Sequence, residues 1–518
     1  MKKLCLCLAC AVSALFAQLT PSDTVFAGLS ARTKFLAYEQ AGGDTKDVQP
    51  LMKQQNYRAL THAMVLMDKI PWTPAAELAT GLDFAISAKL VGTGETLASR
   101  ATFLFDAPAA ADAPYRMKLD LLQGDGATKG QPEASVEPGI VLGDVRGRLS
   151  GETIGLTFDP SKLVGPGLHT LRATLQDGQG NQLFQYFRTF YIVADLGKRT
   201  AALDKTLELL PKQDSPGALT LRQIIETVQL ARHTYYGTGF QTLTGYVFTA
   251  MRAVGLGLKD PVDFPSSLDQ ATRLAAALKD GSDPTLDGRG SLALAYRSDF
   301  DGKLLPYRVY VPKEYDRAKK YPLVVLLHGA GGDEGNFLDD YQRMWPKLAE
   351  EHGYLLASVN GRGPLSGYAK ENGAEQDVLD VLGIMQKRYN VDPNRIFLGG
   401  HSMGGMGTWR IGMAYRDRFA GLIPIAGTMK AVSEAPLKAS GKKIPLMIVA
   451  GEKDALVPAA GCKEMADEAK SLDYPVTYKQ YPNQDHLTVA VVSIPDIFTW
   501  LDAQSQGGAV PNRDAPGK

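Results

Sequence analysis

The spacing of apolar residues changes period several times along this chain, and each change predicts a different kind of element. From Pro50 to Ile70 the positions Leu51, Leu60, Met64 and Met67 follow helical spacing, and Pro71 stops the run because its ring cannot continue a helix. This predicts a helical N-terminal segment over 28–72. From there to about residue 195 the period is two: Leu82, Phe84, Ile86, Ala88 and Leu90 alternate with their neighbours, as do Tyr115, Met117, Leu119 and Leu121, and Ile154, Leu156 and Phe158. Such alternation predicts half-buried strands. Leu171 to Leu175, the turn Asp177-Gly178-Gln179-Gly180 and Leu183 to Val193 read as a hairpin. Short strands between Gly, Pro and Asp turns predict an immunoglobulin-like (Ig-like) β-sandwich over 73–197, on pattern alone, since the Cys-Trp-Cys core of antibody domains is absent. Between Lys198 and Asp280 helical spacing returns at Leu203, Leu207 and Leu210, at Leu221, Ile224, Ile225 and Val228, and at Leu268, Leu274 and Leu278. Helices this short rarely hold unaided, so 198–285 is expected to be a helical connector packed on its neighbours.

From about residue 286 the pattern changes again. Tyr307 to Val311 reads as a strand, and Leu323 to Leu327 is a continuous apolar run of the kind buried on both faces of a parallel sheet. Further runs at Tyr354–Val359, Ile396–Leu398, Leu422–Ala426, Ile444–Ala450 and Val476–Tyr481 alternate with helical stretches at Tyr341–Glu351, Glu375–Arg388, Gly405–Tyr415, Lys463–Ser471 and Ile497–Ala503. The alternation predicts a doubly wound α/β sheet over 286–506, with chemistry at the carboxyl ends of its strands. Residues 507–518, rich in Gly, Pro and polar residues, are expected to form a disordered tail.

A chain of 518 residues has room for several such domains. Lys plus Arg is 56 and Asp plus Glu is 56, which leaves no net positive field to hold a nucleic acid or an anionic membrane. Met1-Lys2-Lys3, the apolar run Leu4 to Phe16 and the small residues Ser13, Ala14 and Ala17 predict a signal peptide over 1–20, hence export to a periplasm or the outside of a cell. The run falls short of the roughly 20 residues a bilayer span needs, so no stable membrane insertion is expected. Cys7-Leu8-Ala9-Cys10 also admits a lipoprotein signal, with Cys10 lipidated. Loss of the leader would leave Cys462 without an internal disulfide partner.

The candidate chemistry starts at the strand ending near Leu398. It runs into Gly399-Gly400-His401-Ser402-Met403-Gly404-Gly405 ahead of a helix, which places G-x-S-x-G in the strand-turn-helix context of a nucleophile elbow. The bland alternative is a glycine-rich turn with an incidental serine. A serine hydroxyl needs a base, and the base an orienting acid, both downstream in the order serine, acid, histidine. Of seven histidines only His486 follows Ser402, in a loop just after the strand ending at Tyr481. Asp454, in the loop after the buried strand Ile444–Ala450, is the favoured acid. Glu452 is its rival, and Asp485 is too close in sequence to turn its carboxylate onto the neighbouring ring. The main-chain N–H groups of Ala330, in His328-Gly329-Ala330-Gly331-Gly332, and of Met403 are candidate oxyanion donors. His328 is expected to brace that loop, and Trp409 to pack in the core of the elbow helix. G-x-G-x-x-G fails, because the sixth position from Gly329 is Glu334, and neither a Walker sequence nor His-Glu-x-x-His occurs. No cofactor and no metal are implied.

From about Leu294 to Ala503 the chain resembles the α/β-hydrolase superfamily, and within it the secreted esterases that include feruloyl esterases, acetyl xylan esterases and polyhydroxybutyrate depolymerases. The marks are Leu327 to Gly332, Val359-Asn360-Gly361-Arg362-Gly363, Asp377-Val378-Leu379-Asp380, Gly400 to Gly405, Gly451-Glu452-Lys453-Asp454 and Asp485-His486. The resemblance implies a serine esterase acting on a small or polymeric ester, such as a decorated plant polysaccharide or a polyester. Peptidases related to prolyl oligopeptidase share most of these marks, although about 120 β-rich residues are too few for their propeller. A third reading, a catalytically inert glycan-binding protein, conflicts with the intact set Ser402, Asp454 and His486.

Overall fold

A computed structural model describes residues 31–505 apart from 32–33, 36–37, 40–41, 109–113, 125–130, 235–262, 430–434 and 439–440. The expected signal segment, Cys10 and the expected tail over 507–518 lie outside the described residues. Two compact units divide the rest: one holds the residues up to 205 with 224–234 and 263–271, the other 206–223 and 272–505.

In the first unit the helical pattern after Pro50 resolves into two helices, Val48–Gln54 and Tyr57–Met67. Gln55 takes a left-handed conformation that closes the first helix. The Asn56 side chain caps the second by accepting the Ala59 N–H at 2.9 Å. Among the described residues eight strands follow: β1 Leu82–Ile86, β2 Leu90–Gly92, β3 Leu97–Phe103, β4 Pro114–Gln123, β5 Ala134–Asp144, β6 Thr153–Phe158, β7 Gly167–Gln176 and β8 Gln182–Val193. They form a three-stranded sheet, β1-β3-β6, and a five-stranded sheet, β2-β8-β7-β4-β5. The alternating run from Leu82 to Leu90 is therefore not one strand: it breaks after Ile86, and Leu90–Gly92 joins the other sheet, parallel to β8. Phe84, Ile86 and Phe103 from one sheet and Met117, Leu119, Leu175 and Phe190 from the other share one hydrophobic core. The β7–β8 hairpin is closed by Asp177, whose carboxylate accepts the N–H groups of Gln179 at 2.9 Å and Asn181 at 2.8 Å. Helices at Leu196–Leu209, Pro216–His233 and Phe264–Lys279 occupy the expected connector, whose described residues are shared between the two units.

The second unit carries β9 Gly290–Arg297, β10 Leu304–Val311, β11 Tyr321–Leu327, β12 Leu355–Val359, β13 Val391–His401, β14 Gly421–Ile425, β15 Leu446–Gly451 and β16 Val476–Tyr481. They make one sheet in the order β16-β15-β14-β13-β11-β12-β10-β9. The six strands from β16 to β12 are parallel, whereas β10 runs antiparallel to both β12 and β9, so the doubly wound sheet is mixed rather than wholly parallel. The apolar runs of β12, β14 and β15 are buried throughout. Each such Leu, Ile or Val contributes about 1.5–3 kcal/mol through removal from water. The edge strand β16 alternates instead. The register pairs Leu327 with Gly400, His401 with Ile425 and Gly451 with Tyr481, so the strands that precede the candidate residues all end along one edge.

Candidate active site

Only Ser402 separates β13 from the helix Met403–Ala414, and it turns the chain with φ 57° and ψ −115°. A non-glycine residue there stores roughly 1–3 kcal/mol of strain, which the surroundings must hold in place. They do so through the Ser402 N–H, donated to Ile425 O at 2.9 Å, and the Ser402 carbonyl, which accepts the Met406 N–H at 3.0 Å. Two glycines make room for the turn. A Cβ on Gly404 would overlap the Leu327 carbonyl and lie 2.8 Å from His328 O, and one on Gly400 would lie 2.7 Å from Leu327 O.

The structure brings together the three side chains singled out from the sequence. His486 Nε2 lies 2.8 Å from Ser402 Oγ, and His486 Nδ1 lies 2.7 Å from Asp454 Oδ2. Asp454 is almost wholly buried, and its Oδ1 accepts the N–H groups of Leu456 at 2.9 Å and Val457 at 2.7 Å. With both oxygens engaged, the carboxylate offers Oδ2 only as an acceptor, so Nδ1 carries the hydrogen and Nε2 is free to take the Ser402 proton. The acid and base loops are tied to each other: Glu452 N–H donates to Tyr481 O at 3.0 Å and Lys453 N–H to Gln484 O at 2.9 Å. Gly451 permits this crossing, since a Cβ there would stand 2.6 Å from Gln484 O. The rival acids are otherwise engaged. Glu452 is exposed and accepts the Asn483 N–H at 2.8 Å, and Asp485 Oδ1 accepts the N–H groups of Leu487 at 3.0 Å and Thr488 at 2.8 Å.

Of the two candidate oxyanion donors, Met403 supplies the first amide of its helix, one of those a helix cannot satisfy internally. Ala330 sits exposed on the turn after β11. That turn is stapled to the segment after β12: Gly331 N–H donates to Pro364 O at 2.8 Å, His328 Nε2 lies 2.8 Å from Asn360 O, and Asn360 Nδ2 donates to Glu334 Oε2 at 2.8 Å. His328 thus braces the loop. Burial, and then neighbouring Asp333, push the Glu334 carboxyl up to about 7. The segment is anchored in turn by Arg362, whose guanidinium reaches Asp377 at 2.9 Å, Asp301 at 2.8 Å and Ser298 Oγ at 2.6 Å. Burial pushes the Asp377 carboxyl up and Arg362 opposes it. The marks at Asn360–Gly363 and Asp377–Asp380 are therefore a brace for the turn after β11, a role their sequence did not reveal. Trp409 is fully buried and donates from Nε1 to Gly427 O at 3.1 Å.

One residue beside Ser402 escaped the sequence reading. His401 is buried, with Nε2 2.7 Å from His486 O and Nδ1 3.3 Å from the Tyr341 hydroxyl. Burial, and then the neighbouring His486 ring, push it down to about 3. Its position inside the elbow motif was the available signal. Cys462 is buried, and burial pushes its thiol up to about 12, which makes it a poor nucleophile. Among the described residues no group of His, Cys, Asp and Glu is arranged to hold a metal, and no helix is long and apolar enough to cross a membrane.

Residues 372–503 match a protein family described as phospholipase/carboxylesterase. The chain is 25% identical over 201 residues to a bifunctional acetylxylan esterase/xylanase of Neocallimastix patriciarum, a match that covers 37% of this chain and 27% of that protein. It is 23% identical over 285 residues to a dipeptidyl-peptidase 5 of Porphyromonas endodontalis, covering 45% of this chain and 41% of the other. The chain thus spans between about a quarter and two fifths of the length of these curated relatives. Among solved structures, a thermostable esterase aligns over 81% of this chain and 98% of its own at 16% identity, with a TM-score of 0.36. The match over residues 372–503 and the eight-stranded mixed sheet give the region from β9 to the helix Ile494–Ser505 an α/β-hydrolase fold.

Proposed function

We propose that this protein is an exported serine hydrolase that cleaves carboxylic esters through an acyl-enzyme. Ser402 Oγ attacks the ester carbonyl while His486 Nε2 takes its proton, and the Ala330 and Met403 N–H groups receive the oxyanion. His486 then returns the proton to the departing alkoxide, which leaves as the alcohol. Water, deprotonated by the same ring, releases the acid and restores Ser402. Asp454 keeps the imidazole in the required tautomer throughout. The observation that carries this reading is the unbroken line from Ser402 Oγ through both nitrogens of His486 to Asp454, at 2.8 and 2.7 Å.

The proposed substrate is a small or polymeric ester, such as an acetylated or feruloylated plant polysaccharide or a polyester, and the acetylxylan esterase relative favours the first. The two-sheet body at 73–197 is read as an Ig-like module, supported by its shared two-sheet core. A second reading, a serine peptidase, is favoured by the dipeptidyl-peptidase relative. Turnover of p-nitrophenyl acetate, methyl ferulate, acetylated xylan and dipeptidyl p-nitroanilides by purified protein separates the two. Ester cleavage with inert anilides is expected, and cleavage of the anilides alone would replace the first reading by the second.

A further inference from the structure

Both ring nitrogens of His401 are occupied. A carbonyl can only accept, so Nε2, 2.7 Å from His486 O, carries the hydrogen, and Nδ1 is left to accept the Tyr341 O–H at 3.3 Å. The neighbours therefore fix the tautomer. The two imidazoles face each other with centroids 4.9 Å apart. Tyr341 is buried, and it opens a run of three left-handed non-glycine residues, Tyr341, Gln342 and Arg343, with φ 46°, 56° and 54°. Such a run persists only where surrounding contacts hold it. Here the Tyr341 ring meets Phe337 edge-on at 5.2 Å, and its hydroxyl meets His401.

We propose that His401 is a positioning residue for the general base: from the position next to the nucleophile, it grips the main chain of His486 and so keeps Nε2 in line with Ser402 Oγ. This rests on reading Ser402, His486 and Asp454 as a catalytic triad. His486 belongs to a loop, whereas His401 ends a central strand, so the bond transfers the rigidity of the sheet to the base. The charged and titratable groups facing His401 are His486, Asp454, Asp485 and the Tyr341 phenol. The two carboxylates favour a proton on His401, but burial and the adjacent ring outweigh them. The residue therefore donates its hydrogen bond without placing a second positive charge beside an imidazole that must itself become cationic.

The test compares two side chains of similar size. His401→Gln can still donate from its amide, whereas His401→Met cannot. With p-nitrophenyl acetate, His401→Met is expected to lose kcat by about 10²-fold with KM within about twofold, and His401→Gln to recover kcat to within about fivefold of the parent, since a misplaced base costs rate rather than binding. Tyr341→Phe, which removes the partner of Nδ1 and leaves the ring held at Nε2 alone, is expected to lower kcat roughly three- to tenfold. Parental kcat in His401→Met, or equal impairment of Met and Gln, would overturn the role. If His401→Met does not fold, Tyr341→Phe decides, and an unchanged kcat there overturns it. Ser402→Ala separates the two claims. Its loss of turnover sustains the triad, so an unaffected His401→Met would then refute the positioning role alone, whereas turnover by Ser402→Ala would refute the triad itself.

Discussion

Replacing Asp454 by Asn changes one atom, and the surrounding hydrogen bonds dictate where that atom goes. Oδ1 accepts two main-chain N–H groups, from Leu456 at 2.9 Å and Val457 at 2.7 Å, so the amide oxygen of Asn must occupy that site. Its NH2 then points at His486 Nδ1, in place of the oxygen now 2.7 Å away. A donor facing Nδ1 forces the imidazole hydrogen onto Nε2, where it faces Ser402 Oγ and blocks proton abstraction. The equivalent change in a serine protease costs about 10⁴ in kcat, or roughly 5.4 kcal/mol, and a loss of that order is expected here with little change in KM. Initial rates on p-nitrophenyl acetate at pH 8 measure it, with circular dichroism to verify folding. Glu452→Gln is the control: the side chain is exposed and bonded to Asn483 N–H, so its rate should stay within about twofold. A folded Asp454→Asn enzyme with near-parental kcat would refute the tautomer argument, and a crippled Glu452→Gln beside it would reassign the acid.

Two further outcomes follow from packing and burial. Gly404→Ala drives a Cβ into the Leu327 carbonyl, main chain that cannot swing aside, so the variant should lose activity and unfold at a markedly lower temperature in calorimetry, while a parental melting point would show that the elbow tolerates a side chain. Burial, and then Asp333, hold the Glu334 carboxyl above its ordinary 4.5, up to about 7; its proton is held more tightly in the folded state, so the associated stability is fully present below pH 4.5 and is lost as pH rises through 7. Glu334→Gln should therefore match the parent in thermal midpoint at pH 4.5 and exceed it at pH 8, and equal midpoints at pH 8 would show that the carboxyl is not desolvated.

The parts legible in the sequence were those whose signal is local. G-x-S-x-G and the apolar runs of β11, β12, β14 and β15 each declare themselves within a few residues, because a strand buried on both faces and a turn without room for Cβ leave few choices of side chain, while His486 needed only a count of the histidines after Ser402. What stayed hidden depends on partners distant in the chain. Period-two alternation places a residue on a face but does not say which sheet the strand joins, so the switch between Ile86 and Leu90 passed unseen. The edge hairpin β9–β10 carries a weaker pattern because its first strand is only partly buried. The break at Gln55–Asn56 lies in polar residues that an apolar count skips. Arg362 and Asp377 acquire their role from one ion pair across 15 positions, and His401 from a carbonyl 85 residues away.

The central claim is that Ser402 is the nucleophile, and covalent labelling addresses it most directly. A fluorophosphonate probe incubated with the purified protein, followed by proteolysis and mass mapping, should place a single adduct on the peptide containing Ser402. Ser402→Ala should neither label nor turn over p-nitrophenyl acetate. An adduct on another residue, or ester turnover by folded Ser402→Ala, would contradict the account.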